Sequence, residues 1–214
     1  MAGSIDNDRD DEIWDSMAVA HSEYWMQEDN KPLKKQLSTS QLNSLTQEQA
    51  EELLLEAGEN GDTDSIRHIH SIFPSIINSR DSDGYTALHR AAYNGHKQAI
   101  ELLLDCGADI NNRTMDGWQP LHCACKWNKT SAVEVLLQNG ADPNSQSAGG
   151  LTPLHMAASN NQSRDIMSIL LMHSATDCNI VSSSCDTAHQ VALRYGNLGY
   201  LFEIKEKCLD FSFH

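Results

Sequence analysis

Asp83-Gly84-Tyr85-Thr86-Ala87-Leu88-His89 recurs as Asp116-Gly117-Trp118-Gln119-Pro120-Leu121-His122, then as Gly149-Gly150-Leu151-Thr152-Pro153-Leu154-His155, at a constant spacing of 33 residues. A second block keeps the same beat: Leu103-Leu104-Asp105-Cys106-Gly107-Ala108-Asp109-Ile110-Asn111 returns as Leu136-Leu137-Gln138-Asn139-Gly140-Ala141-Asp142-Pro143-Asn144. A fixed period of this size marks a solenoid, in which each unit buries its apolar side only against its neighbours. Between the blocks the apolar residues fall at helical spacing. Leu88, Ala91 and Ala92, and one period later Leu121, Ala124 and Cys125, give a first helix a small-residue inner face that lets its neighbours approach closely. Ile100, Leu103 and Leu104, then Val133, Leu136 and Leu137, give a second helix an i, i+3, i+4 stripe. Gly107 and Gly140 stand where that second helix must end, in a backbone conformation that glycine adopts cheaply.

With its Thr-Pro-Leu-His and Gly-Ala-Asp-x-Asn blocks, the pattern resembles the ankyrin-repeat family. The resemblance implies a mainly α solenoid of helix-turn-helix units joined by short β-hairpin loops. The expected domain runs over 46–210, after an acidic tail over 1–45. Its units are a degenerate cap repeat over 46–80, repeats over 81–113, 114–146 and 147–180, and a C-terminal cap over 181–210. The domain opens on a capping box, Thr46 with Gln49 three residues on, and Pro74 is expected to stop the second helix of the cap. The repeat over 147–180 drifts. Asn161 replaces the glycine of Gly95, and Ile169-Leu170-Leu171 arrives one residue late, so its first helix or the turn after it carries an insertion. The last unit keeps Thr187, Ala188 and Ala192, with Gly196 in its turn and a closing amphipathic helix from Leu198 to Leu209.

The 214 residues carry a net charge of −15, distributed unevenly. Residues 1–30 hold nine acids against Arg9, and 47–64 add seven acids without a Lys or Arg, while the remainder is close to balanced. An acidic chain without a basic stripe is a poor candidate for direct nucleic-acid binding. No run of about 18 apolar residues is present, so no membrane span is expected. Without a secretory leader pattern, the six cysteines are expected in a reducing compartment and unpaired. The largely polar, acidic tail is interrupted by an island, Ile13, Trp14, Met17, His21, Tyr24 and Trp25, which would share one side of a short amphipathic helix over 12–28. Trp14, Met17, Tyr24 and Trp25 are its motif residues. Three readings stay open: a motif for a partner's groove, a segment docking on the first repeat, or plain disorder.

Enzyme chemistry finds no foothold. His122-Cys123-Ala124-Cys125 suggests a metal site, but Cys123 and Cys125 lie roughly 200° apart around a helix and face different ways. The family resemblance instead makes His89, His122 and His155 structural hydrogen-bonders between loops. No nucleophile elbow, P-loop or dinucleotide motif occurs, so no metal, cofactor or catalytic residue is expected. An enzyme subunit with a cryptic site in the irregular repeat, near Gln162 to Asp165, is the weakest reading.

The resemblance implies that a protein partner lies along the concave face of the stack. Tyr85, Trp118 and Leu151, each following the turn glycine, are expected near the hairpin tips on that face, with Met115 beside them and Arg90 on the adjoining helix. Tyr93 and Asn94, Lys126 and Trp127, and Ser159 and Asn160 are expected to face the same groove. Exposed aromatics at such positions are typical binding anchors; packing of Trp118 on the neighbouring hairpin is the competing reading. Asparagines following the pattern L-x5-D-x-N are hydroxylated in some ankyrin proteins, and Asn111 and Asn144 fit it, as they also fit the plain repeat consensus.

Some runs go beyond the generic repeat: Tyr85-Thr86-Ala87-Leu88-His89-Arg90-Ala91-Ala92-Tyr93, Asp116-Gly117-Trp118, and, not dictated by the consensus at all, Ala124-Cys125-Lys126-Trp127-Asn128 and Tyr200-Leu201-Phe202-Glu203-Ile204. They resemble a small ankyrin-repeat regulator of transcription that also has an acidic tryptophan-bearing tail. That implies a monomeric, non-enzymatic adaptor in the nucleus, shared with the cytoplasm. The alternative is a cytosolic adaptor in signalling or protein degradation.

Overall fold

A computed structural model describes residues 45–195 and 198–204. The expectations for Trp14, Met17, Tyr24 and Trp25, for a helix over 12–28, for Gly196 and for the closing helix beyond Ile204 lie outside the described residues.

The described chain is a row of antiparallel helix pairs. They are α1 (Gln47–Asn60) with α2 (Thr63–Ile72), α3 (Ala87–Asn94) with α4 (Lys97–Asp105), α5 (Pro120–Lys126) with α6 (Thr130–Gln138), and α7 (Pro153–Ala158) with α8 (Arg164–Met172). Then comes α9 (Ala188–Tyr195), followed by a helical segment over 200–204. The first helices pack in series, α1 on α3, α3 on α5, α5 on α7 and α7 on α9, while the second helices form a parallel series α2, α4, α6 and α8. The core lies between the two layers. Leu54, Leu88, Leu121 and Leu154 are fully buried on the first helices, and Ile66, Ile100, Leu103, Leu136, Ile166 and Leu170 on the second. Each such side chain contributes roughly 1.5–3 kcal/mol by leaving water.

Local sequence sets the ends. Thr46 accepts from the Gln49 N–H at 3.3 Å while the Gln49 side chain accepts from the Thr46 N–H at 3.0 Å, the capping box expected for α1. Asp62 caps α2 by accepting from the Ser65 N–H, and Pro74 opens a 3₁₀ turn that ends α2 at Ile72. The pairs are joined by hairpin loops closed by two backbone bonds each, the inner one running from Gly84, Gly117, Gly150 and Cys185 N–H to the carbonyls of Asp81, Thr114, Ser147 and Ser182. Asp81, Thr114, Ser147 and Ser182 donate to the carbonyls of Tyr85, Trp118, Leu151 and Asp186. Among the described residues these loops are too short for a strand; Val181 and Thr187 form a single antiparallel bridge. Successive hairpins are tied by Met115 N–H to Asp83 O, Ala148 N–H to Asp116 O and Ser183 N–H to Gly149 O.

The irregular pair shows where its insertion falls. The α3–α4 and α5–α6 turns pass through left-handed residues, Gly95 (φ 79°) and Asn128 (φ 54°). From His155 to the N-cap Ser163 of α8 is one residue more than from His89 to His96 or from His122 to Lys129, and the α7–α8 turn contains no left-handed residue; Asn161 does not adopt the glycine's conformation. Instead the buried Ser163 hydroxyl donates to the carbonyls of Ala157 and Asn160. A second extra residue follows α8. There His173 (φ −70°, ψ 124°) leaves the helix extended, where α4 and α6 reach Gly107 and Gly140 with positive φ. An added residue does the turning in each place.

Gly58 on α1 lies against Ala87, so that a Cβ there would fall 2.5 Å from the Ala87 carbonyl oxygen. Gly58→Ala should therefore push α1 from α3 and lower stability by about 1–3 kcal/mol, read by urea denaturation. The hairpin position held by Gly84, Gly117 and Gly150 is occupied in the last hairpin by Cys185, with φ 62°. A Cβ at Gly150 would approach Ser183 N to 2.8 Å, whereas Cys185 has no following hairpin among the described residues. Only the conformational strain remains, so Cys185→Gly should raise stability by about 1 kcal/mol, an increase visible in the denaturation midpoint.

Candidate functional site

The hairpins and first helices share one face, held in place by buried imidazoles. The Thr86 N–H donates to His89 Nδ1 at 3.2 Å, which leaves the ring proton on Nε2, and Nε2–H donates to the Trp118 carbonyl at 3.0 Å. Gln119 N–H fixes His122 in the same way, and its Nε2–H reaches the carbonyls of Leu151 (3.0 Å) and Ser145 (3.1 Å). Thr152 N–H orients His155, whose Nε2–H reaches Asp186 O at 3.0 Å. The carbonyls of the last three hairpins are thus each gripped by the histidine of the preceding unit, which fixes the backbone at Trp118, Leu151 and Asp186.

Tyr93 and Trp127 form the aromatic centre of the face, with ring centroids 4.7 Å apart and planes tilted by 55°. Tyr93 comes from the last turn of α3 and Trp127 from the cap of α5, so the packing of successive units brings them together. Both are half-buried. Lys126, beside Trp127, donates to Ser159 Oγ at 3.4 Å, and Ser159 in turn donates to Met156 O. Asn94 is half-buried and donates to Arg90 O, while Asn160 accepts from the Gln162 N–H. Trp118 and Leu151 are half-buried on the hairpins, and Met115 at its hairpin tip is 78% exposed on a backbone pinned by Asp83.

One expectation needs correction. Tyr85 is not an exposed anchor. It is 5% exposed, with its ring edge-on to His89 at 5.7 Å and its N–H bonded to Asp81 Oδ1. Burial, and then nearby acidic groups, push its phenol well above the usual tyrosine range. Arg90 faces this surface but also serves as a strut, pairing with Glu59 at 2.8 Å and Asp81 at 2.9 Å. Sequence reasoning did not select Glu59, although it stands about one repeat before Tyr93, which was the available signal.

The sulfur and imidazole groups of His122-Cys123-Ala124-Cys125 are committed to the core. Cys123 and Cys125 are fully buried, and burial pushes the Cys123 thiol up to about 12 and that of Cys125 higher still. Among the described residues no three His, Cys, Asp or Glu side chains gather as metal ligands. No helix of the described residues is long and apolar enough to cross a membrane. Asn144 bridges to the next loop, donating to Ala175 O at 2.6 Å and accepting from Asp177 N–H at 2.8 Å. Asn111 is exposed, and its N–H donates to Asp109 Oδ1.

Burial holds His89 and His122 down at about 4 and lowers His155 in the same direction. The unfolded chain then takes up protons first, near pH 6.5, so stability is full above that value and is lost as pH falls toward 4. At pH 5 the two most buried histidines should each cost about 2 kcal/mol, measured as a fall in the urea midpoint between pH 7 and pH 5. His122→Gln should flatten that fall while lowering stability at pH 7.

The family described as "Ankyrin repeats" (three copies) matches residues 54–147, and a further "Ankyrin repeat" matches 149–183. The chain is similar to ankyrin repeat domain-containing protein 49 of Bos taurus, 47% identical over 208 residues, covering 97% of this chain and 80% of that protein. The protein of the same name in Homo sapiens is 52% identical over 160 residues, covering 75% of this chain and 67% of that one. That in Drosophila melanogaster is 38% identical over 63 residues, covering 29% of each.

Proposed function

Since the chain belongs to the ankyrin-repeat family, we propose that it is a monomeric, non-enzymatic adaptor holding a protein partner against its hairpin and first-helix face. The observation that carries this reading is the Tyr93–Trp127 pair. Two large rings lie half-open at the ends of successive first helices, with Lys126 next to Trp127 in the chain. Neither ring fills the core, whose contacts come from the leucines and alanines beneath, so their exposure brings the fold little and offers a partner a preformed anchor. The idiosyncratic runs around Trp127 and Tyr200 resemble fetal globin-inducing factor. That resemblance supports a role in raising transcription through protein partners, in the nucleus and also in the cytoplasm.

The test is capture of partners from cells by wild type beside Trp127→Ala and Tyr93→Ala. Each substitution should weaken capture by about tenfold or more, as loss of an anchor of roughly 1.5–2 kcal/mol does, with helical content unchanged. Equal capture by all three proteins would remove the aromatic pair from the binding surface.

A further inference from the structure

The chain contains three Asn-Gly pairs, Asn60-Gly61, Asn94-Gly95 and Asn139-Gly140. A glycine leaves its backbone nitrogen unhindered, so it can reach the carboxamide carbon of the preceding asparagine. All three pairs end a helix and are restrained alike at first sight. Asn60, Asn94 and Asn139 donate from Nδ2 to the carbonyls of Glu56 (3.0 Å), Arg90 (3.1 Å) and Val135 (2.8 Å). The glycine N–H groups are bonded too, Gly61 to Gly58 O, Gly95 to Ala91 O and Gly140 to Leu137 O. Ring closure therefore needs the last helical turn to open, and the three sites differ in what opposes that opening.

Over Gly61 lies the His96 ring, so close that a Cβ there would fall 2.6 Å from His96 Cγ, and His96 Nε2 is bonded to Glu59 O at 2.8 Å. Over Gly95 lies the Lys129 stem, 3.0 Å from the same construction. Over Gly140 there is nothing within 4 Å, and both Asn139 and Gly140 are exposed. Opening at the first two sites displaces a side chain of the following unit. Opening at Asn139 disturbs only the end of α6.

We infer that Asn139 is a chemical modification site, converted in the folded protein to aspartate and isoaspartate well ahead of Asn60 and Asn94. The Gly140 nitrogen, its proton lost to solvent hydroxide, attacks Cγ of Asn139. The new C–N bond closes a succinimide as the carboxamide C–N bond breaks, and the amino group leaves as ammonia after taking a proton from water. Water then opens the ring at either carbonyl, so the net change is carboxamide plus water to carboxylic acid plus ammonia, without oxidation or reduction. The product places a carboxylate at the C-terminal end of α6, where the helix dipole is already negative. Isoaspartate also adds a backbone methylene to the joint leading to the next hairpin.

The experiment incubates the full chain in mildly alkaline buffer, native and in denaturing urea, and follows the amide-to-acid mass change by peptide mapping. In the native chain Asn139 should convert about tenfold faster than either other site, and in urea the three rates should converge. His96→Ala should accelerate conversion of Asn60 alone. Comparable native rates at Asn60 or Asn94, a lead for Asn139 that persists undiminished in urea, or no response of Asn60 to His96→Ala would each overturn the proposal.

Discussion

The neutral, buried imidazole is the constraint from which the remaining structure follows. Its Nδ1 is occupied by the amide that starts its own helix, so its Nε2–H has one direction left, toward the carbonyl of the next hairpin. A single ring thus sets a helix start and the position of a loop about 30 residues further along. A charged ring would lose the acceptor on Nδ1 and carry its charge into a site sealed from water. The hairpins stand at fixed heights because these rings stay neutral, and the aromatic face is built on those hairpins and the helices they start.

Much of this was legible in the sequence, because the features that repeat are those under the same steric rule in every unit. Ala91, Ala92, Ala124 and Cys125 had to be small for α1, α3, α5 and α7 to approach, and they are all buried. The Thr46–Gln49 box and the Pro74 stop are local, decided within four residues. Tyr85 was misread because its neighbours in the motif, Trp118 and Leu151, are only half-buried, whereas its own ring folds back onto His89. Nothing in the residue type separates those outcomes. The two bonds of Arg90 were hidden for a different reason: Glu59 lies 31 residues away, and only helix packing makes them neighbours.

Where a following unit is absent from the described residues, the size rule relaxes. Ala92, Cys125 and Ala158 are covered by the next first helix, but the corresponding residue of α9 is Leu193, 64% exposed. Cys185 has taken the glycine position of the hairpins for the same reason. Small residues in the inner units thus report contact with a successor.

The two extra residues around α8 bear on how the surface is read from outside. The carbonyls gripped by histidine belong to Trp118, Leu151 and Asp186, so the numbering between them stretches from 33 to 35. Yet His155 still reaches Asp186 at the 3.0 Å with which His89 reaches Trp118. The surplus chain is taken up in the turn before α8 and the exit after it. The protein therefore behaves as a ruler graduated by hydrogen bonds, not by residue count: a partner laid along the hairpins meets loops held by the same bond, although one interval was drawn with more thread.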